Sequence, residues 1–367
     1  MSVIDEPVPA LATSEAPNFW RRLIRQRPSA FVALIFLGLL YASLPFAELI
    51  APYNPETRSN DALFAPPQTI HLFHGGGLVG PYVYGYTSTV DLETFQRKFT
   101  LDETKIQPLR FFCTGDAYDH WLFGPSTTHL VCPAEGSTFY LLGTDRLGRD
   151  IFSRIVYGAR ISLTIGLVGV ALSFFLGCLL GGLAGYLGGW TDAAVLRVIE
   201  LLRSLPELPL WLALSAALPA TWSPIWVFFG ITIILGLLDW PGLARAVRAK
   251  VLSLREEDYV TAAELIGASR VRILFRHMLP NFSGHLISSV TLAIPHMILG
   301  ETSLSFLGLG LRPPVTSWGV LLNEAQNIGA IELYPWLLTP LVPVVLVVLA
   351  FNVLGDGLRD AADPYAR

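Results

Sequence analysis

DYVTAAELIGASRVRILFRHMLPN, residues Asp258–Asn281, is a polar, helix-forming stretch set between two apolar runs that are each long enough to cross a bilayer. Ala262, Ala263 and Gly267 put small side chains at one-turn spacing, so a second surface can approach closely. Gly267 is placed to end a first short helix or turn the chain. Ile273 and then the pair Leu279–Pro280 follow in order, and Pro280 closes a second helix. The alternative is an amphipathic helix pair that packs only on its own chain.

Working outward, the 367 residues are 52% hydrophobic and only 15% charged, with a mean hydropathy of +0.52. A soluble domain carries nearer roughly 25% charged residues. The chain therefore reads as a polytopic α-helical membrane protein. The net charge of −4 gives no reason to expect nucleic acid as a partner. Lysine occurs only at Lys98, Lys105 and Lys250, none of them in a G-x-x-x-x-G-K-[ST] loop, so the phosphate cradle of a P-loop ATPase is absent. H-E-x-x-H and G-x-S-x-G are absent too, which removes two routes to a membrane hydrolase.

Apolar length predicts six spans, at about 30–51, 161–186, 194–220, 223–243, 285–308 and 335–355. The first is too long for a signal peptide's apolar core and lacks an A-x-A exit. Arg21, Arg22, Arg25 and Arg27 precede it and hold the segment 1–29 in the cytoplasm by the positive-inside rule. Phe19 and Trp20 read as an interfacial anchor or as ordinary helix packing. The second span carries Gly177, Gly181, Gly182 and Gly185, spacings that let helices pack closely in lipid. The third starts amphipathically with Arg197, Glu200 and Arg203, and Pro206 and Pro209 predict a kink. Six spans return the C-terminus to the cytoplasm, with Asp356, Arg359, Asp360 and Asp363 packing on the inner surface. The loop 244–284 then faces inward, and its Arg245, Arg248, Lys250, Arg255, Arg270, Arg272 and Arg276 are an inside-type excess.

The segment 52–140 is then external, and acid-rich. Its aromatic residues supply a modest core, and Tyr82–Thr89 reads as strand, so a small periplasmic insertion domain with β content is expected. Cys113 and Cys132 fall in it and Cys178 in a span. The first two either form a disulfide, which an oxidising compartment permits, or stay as separate buried thiols. A bond there contributes about 3 kcal/mol in the chain-entropy model.

Three further motifs accompany the opening stretch: LGTDRLGRDIFSRIVYGARISL at Leu142–Leu163, GETSLSFLGLGLRPPVTSWG at Gly300–Gly319, and NVLGDGLRDAADP at Asn352–Pro364. With Ala262–Pro280 they resemble the permeases of dipeptide/oligopeptide/nickel-type ABC importers, in particular the C-type member of that permease pair. The resemblance covers about 30–72 and 141–367; the departure is the insertion from about His71 to Tyr140. It implies a type I ABC importer permease fold, with a permease core over 141–367. It also implies a cytoplasmic EAA coupling loop (about 251–284) that docks on an ATPase through Thr261, Ala262, Ala263, Glu264, Gly267, Ala268, Ile273 and Pro280. Thr261 stands where the family usually has Glu, a loss that Glu264 or the run Glu256–Asp258 can compensate.

The partners implied are a homologous second permease subunit, two ATP-binding subunits, a periplasmic solute-binding protein and membrane lipid. The chain itself is non-catalytic, with no cofactor and no metal site; ATP and Mg belong to the ATPase subunits. The location implied is the bacterial inner membrane, multi-pass, with both termini cytoplasmic. The substrate class is oligopeptide first, then an oligosaccharide such as a galactoside, or an opine. A secondary transporter is the competing class; it calls for an internal repeat and mid-membrane charge, and neither is evident in the sequence. Asp145, Arg149, Asp150 and Arg160 are an external gate or binding-protein platform, or else a salt-bridge network orienting the second span. Glu301 lines the pathway, pairs with an outer arginine, or belongs to another structural pair. Asp239 and Trp240 are equally open.

Overall fold

The computed structural model describes residues 19–75, 77–90, 97–120, 124–219 and 221–362. The N-terminal segment 1–18, expected in the cytoplasm, lies outside them, as do Asp91, Glu93, Phe95, Trp121 and Phe123 of the insertion and Asp363 of the tail.

The chain enters through α1 (Phe19–Gln26), turns at Arg27 and runs into α2 (Pro28–Ser43), which a 3-10 turn joins to the short α3 (Ala47–Ile50). A sheet follows: β1 (His71–His74), β2 (Gly77–Val90), β3 (Arg97–His120) and β4 (Gly124–Pro133), all antiparallel in chain order. The long β3 belongs to two hairpins end to end. Its first half pairs with β2 up to Pro108, and its second half pairs with β4 from Leu109 onward. Cys113 and Cys132 are joined by a disulfide across β3 and β4, with a Cα–Cα distance of 6.2 Å.

α4 (Ile151–Leu187) is the longest element, beginning some ten residues before its apolar run. α5 (Gly189–Ser204) and α6 (Glu207–Ala216) follow, then α7 (Pro224–Leu254) and α8 (Asp258–Leu265). The stub α9 (Arg270–Arg272) passes through a π-helical and a 3-10 turn into α10 (Ser283–Phe306). α11 (Trp318–Glu324), α12 (Ile328–Leu333) and α13 (Leu341–Ala362) complete the chain. Among the described residues five helical segments are long and apolar enough to cross a membrane: Pro28–Ile50, Ile151–Leu187, Pro224–Leu254, Arg270–Phe306 and Pro335–Ala361. The expected span over 194–220 is not one helix. It breaks at Leu205–Pro206, both extended, because Pro206 supplies no amide and restricts the residue before it.

The glycine stripe of α4 sets how closely the bundle packs. A Cβ on Gly181 would overlap the Ala244 carbonyl oxygen, and one on Gly185 meets the Arg248 oxygen at 2.8 Å, so backbone lies against backbone where α4 crosses α7. Gly182 makes room for the side chain of Leu274. At the other face of the core, α2 and α13 meet where Gly357 abuts Ala30. The N-terminal end of α4 meets α3 and Tyr53, and α3 in turn packs on β4, while the C-terminal end of α4 adjoins α8, so the sheet and α8 lie at opposite ends of the bundle. Arg27 pairs with Asp360 at 2.6 Å, which brings the described ends of the chain together.

Gly181→Ala is expected to force the α4–α7 backbones apart and to lower the melting temperature of the purified protein, by an amount equivalent to about 1–3 kcal/mol. Gly38→Ala, with nothing within 4 Å of the added carbon, is expected to leave it unchanged or raise it.

Candidate functional site

At one end of the bundle α8 ends in a Schellman turn. Gly267 adopts φ +80°, its amide donates to Glu264 O at 2.9 Å, and the Ala268 amide donates to Ala263 O at 3.1 Å. Ser269 then caps the following turn by accepting from the Arg272 amide at 3.4 Å. Val260, Ala263, Ile273, Leu274, Met278, Leu279 and Phe282 bury against Val247, Val251 and Cys178, and fix the loop to α4 and α7. Ala263, expected on a close-approach surface, instead faces its own chain because it completes this core. Ala262, Thr261 and Pro280 are exposed, Gly267 has open space around it, and Ala268 is half-buried. Glu264 accepts a hydrogen bond from the Tyr186 hydroxyl at the end of α4, so it is already engaged within the chain. Among the described residues, the other acids of this face without an ion pair are Glu257 and Asp258; Glu256 leans on Arg255 at 3.1 Å. The surface they border is apolar: Leu265 is 83% exposed and Ile266 85%.

At the opposite end the G-T-D-x-x-G-R-D segment forms a tight buckle. Asp145 Oδ1 accepts from the amides of Leu147 and Arg149 at 2.8 and 3.0 Å. Gly148, at φ +71°, lies so close to Ser59 that a Cβ would overlap its carbonyl. Asp145 Oδ2 pairs with Arg149 at 2.7 Å and Arg154 at 2.6 Å, and both arginines reach Glu324 on α11, at 2.9 and 2.6 Å. The result is a buried lattice of two cations and two anions. Burial opposes ionisation of Glu324, but Arg154 and then Arg149 outweigh it and hold its carboxyl below the usual range. Asp150 is apart from this lattice. It caps α4 by accepting from the Ser153 amide at 2.7 Å, while its Oδ1 is buried without a partner. Burial pushes its pKa up to about 6, with Asp145 adding to the rise.

Arg160 does not pair within its own motif. It binds Glu48 of α3 at 2.7 and 2.6 Å, because α3 brings that carboxylate beside α4. Glu301 neither lines an opening nor meets an arginine. It is wholly buried, and its carboxylate accepts from the hydroxyls of Ser162, Ser305 and Ser317 at 3.0, 2.8 and 2.7 Å. The loop after α10 folds back to build this nest, with Gly310 and Gly319 pressed onto Ser305 and Thr302.

A third polar group lies inside the bundle. Asp239 on α7 and Glu207 on α6 flank His296 on α10, at 3.2 and 3.4 Å. Sequence reading missed this group, as it missed Glu324, Glu48 and the three serines, because the partners come from distant segments. The spacing of Glu301 and Ser305, one helical turn apart, was a usable signal.

Residues 177–367 match the family described as the binding-protein-dependent transport system inner membrane component, and residues 17–67 match the N-terminal TM domain of oligopeptide transport permease C. A putative peptide permease of Brucella suis is 40% identical over 68% of this chain and 82% of its own length. The oligopeptide transport system permease OppC of Bacillus subtilis is 38% identical over 66% of this chain and 77% of its own length. The dipeptide transport system permease DppC of the same organism is 41% identical over 63% and 70%.

Asp150 ionises near 4 when unfolded and near 6 when folded, so folding takes up a proton between those values. Stability is therefore expected to fall as pH rises through that window and to level off above it. Asp150→Asn keeps a capping oxygen without the charge. Its unfolding free energy should match that of the unsubstituted protein below pH 4 and exceed it above pH 6, by up to about 3 kcal/mol at 1.36 kcal/mol per unit, read as a higher melting temperature there.

Proposed function

The chain belongs to the family of binding-protein-dependent ABC transport inner-membrane components, and on that premise we propose that it is one permease subunit of an ATP-driven importer of oligopeptides. It forms half of the translocation pathway. Its partners are a homologous second permease, two ATP-binding subunits and a periplasmic solute-binding protein, within the lipid of the bacterial inner membrane. It binds no cofactor and catalyses nothing; ATP and Mg are held by the ATPase subunits. Peptide as the substrate class is supported by the relatives, which are named peptide, oligopeptide and dipeptide permeases.

The coupling loop carries this reading. An eight-residue helix, stopped by Gly267 and fixed to α4 through Glu264 and Tyr186, leaves Leu265 and Ile266 bare. Large apolar side chains this exposed at a membrane protein's polar end suit a docking face for another subunit. Displacement of that face reaches α4 directly, and through it the far end of the bundle. Each state of the cycle must make its own contacts with the ATPase pair, since a ligand shifts an equilibrium only by its differential affinity. The arginine excess of 244–284 supports this end as cytoplasmic, with the described ends of the chain beside it. The sheet end is then periplasmic, and the broken pair α5–α6 serves as the third of six spans.

The insertion is read as a contact surface for the loaded binding protein. Phe73, Leu78, Val79, Phe111 and Phe112 are exposed on its strands, and aromatic residues are favoured interface anchors.

Ile266→Asp is expected to leave the melting temperature unchanged, because the side chain is bare. ATP-driven peptide uptake and co-purification with the ATPase should fall at least tenfold. Normal capture of the ATPase together with normal uptake would show that the loop is not the coupling face. Phe111→Ser with Phe112→Ser is expected to leave basal ATPase activity of the complex intact and to cut its stimulation by loaded binding protein several-fold; undiminished stimulation excludes that contact.

A further inference from the structure

A cavity of about 480 Å³ lies between α4, α5, α7 and α10, and its lining includes Ser173, Arg203, Asp239, His285, Ser289 and His296. His296 is 41% exposed and Glu207 beside it 60%, so the cavity is open-sided. Ser173 donates to Asp239 at 3.3 Å. Arg203 makes no ion pair among the described residues, and its guanidinium lies over Gly242, where a Cβ would come within 2.8 Å of it. Ionisable groups left open inside a membrane-spanning bundle face water or a protein interior, because lipid exposure is too costly. The cluster therefore distinguishes this face from the lipid-facing one, where Val342, Val345, Leu349 and Val353 of α13 are exposed.

The three members of the ion cluster each sit near a proline. Glu207 follows Pro206, Asp239 lies two residues before Pro241, and His296 follows Pro295. Proline within a helix removes a backbone hydrogen bond and is a usual cause of kinks. Two of the helices bordering the cavity, α7 and α10, and α6 beside it thus give way most easily where these charges are held. The remaining wall is apolar and uncommitted: Val170, Phe174, Leu243, Leu292 and Ala293.

We propose that this cavity is a water-filled site on the translocation pathway that holds a short zwitterionic peptide by its ends, the ammonium at Glu207 and Asp239 and the carboxylate at Arg203. Two carboxylates share a single imidazole, which leaves negative charge for an ammonium. The unpaired guanidinium offers a fork suited to a carboxylate. A peptide has two constant charged ends and variable side chains, and the cavity pairs two fixed charge sites with walls that select no side chain. Its volume falls in the range of about 300–1,000 Å³ usual for small-ligand sites.

The inference rests on the importer reading above, and the test separates the two. Ser289→Cys is introduced with Cys178→Ser, and the assembled transporter is placed in proteoliposomes with its binding protein. Labelling of the introduced thiol by a membrane-impermeant cationic reagent is followed beside ATP-driven uptake. Labelling is expected, and millimolar Ala-Ala should slow it at least fivefold, whereas N-acetyl-Ala-Ala-amide should not. Arg203→Gln and Asp239→Asn should each abolish the protection while leaving labelling without peptide in place. Labelling that only a lipid-soluble maleimide achieves places the cavity against lipid; labelling that requires removal of the second permease places it in the subunit interface. Either result overturns the proposal, as does equal protection, or none, by the free and blocked peptides. Loss of ATP-driven uptake from complexes without these substitutions would instead count against the importer reading, whatever the labelling shows.

Discussion

The approach of α4 to α7 governs the rest of the molecule. At Gly181 and Gly185 the two backbones come into contact, leaving no space for a methyl group between them. Without a hydrophobic driving force between helices in lipid, this close packing is what holds the two together. α4 is also continuous for 37 residues, about 55 Å at 1.5 Å per residue. It is thus the one element whose first turn abuts the Asp145–Arg154–Glu324 lattice and whose last turn holds Glu264 through Tyr186. A displacement at α8 has a stiff route to the opposite end.

The buried charges follow two different solutions to the same cost. An ion removed from water loses several kcal/mol and recovers it only with good geometry and saturated hydrogen bonding. At the sheet end the answer is alternation of sign: Arg149 and Arg154 each bridge Asp145 and Glu324. Glu301, deeper in the bundle, has no cation at all, and three serine hydroxyls from α4, α10 and the returning loop surround it. The first arrangement clamps α11 onto the start of α4, and the second ties α10 and the returning loop to α4. Both are largely buried, in contrast to the exposed cluster at His296.

Five of the six expected spans were legible in the sequence because apolar length is a one-dimensional signal. The strand character of Tyr82–Thr89, the glycine stripe and the turn at Gly267 were legible for the same reason: each is set by local spacing or backbone freedom. Helix ends were less so. α7 runs on to Leu254, beyond its apolar run, because Val247 and Val251 still bury against α8 and the turns after it. The kink expected near Pro206 is a full break, since Leu205 and Pro206 both become extended. Partnerships across the chain were not legible. Arg154 meets Glu324 170 positions away and Arg160 meets Glu48 112 positions away, and no local pattern encodes either.

The histidines make the same point in a sharper form. His120 and His129 look unconnected with anything in the sequence. In the folded chain His120 Nε2 lies 2.8 Å from the Pro45 carbonyl oxygen and His129 Nδ1 lies 2.6 Å from that of Ala51. Those carbonyls belong to the stretch where α2 gives way and α3 ends, and the last carbonyls of a helix have no partner within it. The sheet therefore caps the end of the Pro28–Ile50 segment by supplying the missing donors. Asp116 adds to this by accepting from the Asn54 amide and the Thr57 hydroxyl, at 3.0 and 2.7 Å. Gly115 is required beside them because a Cβ there would strike the His129 ring. A sheet anchored at the end of a helix moves with that helix, so contact made on the sheet is felt at α2, which packs along α13.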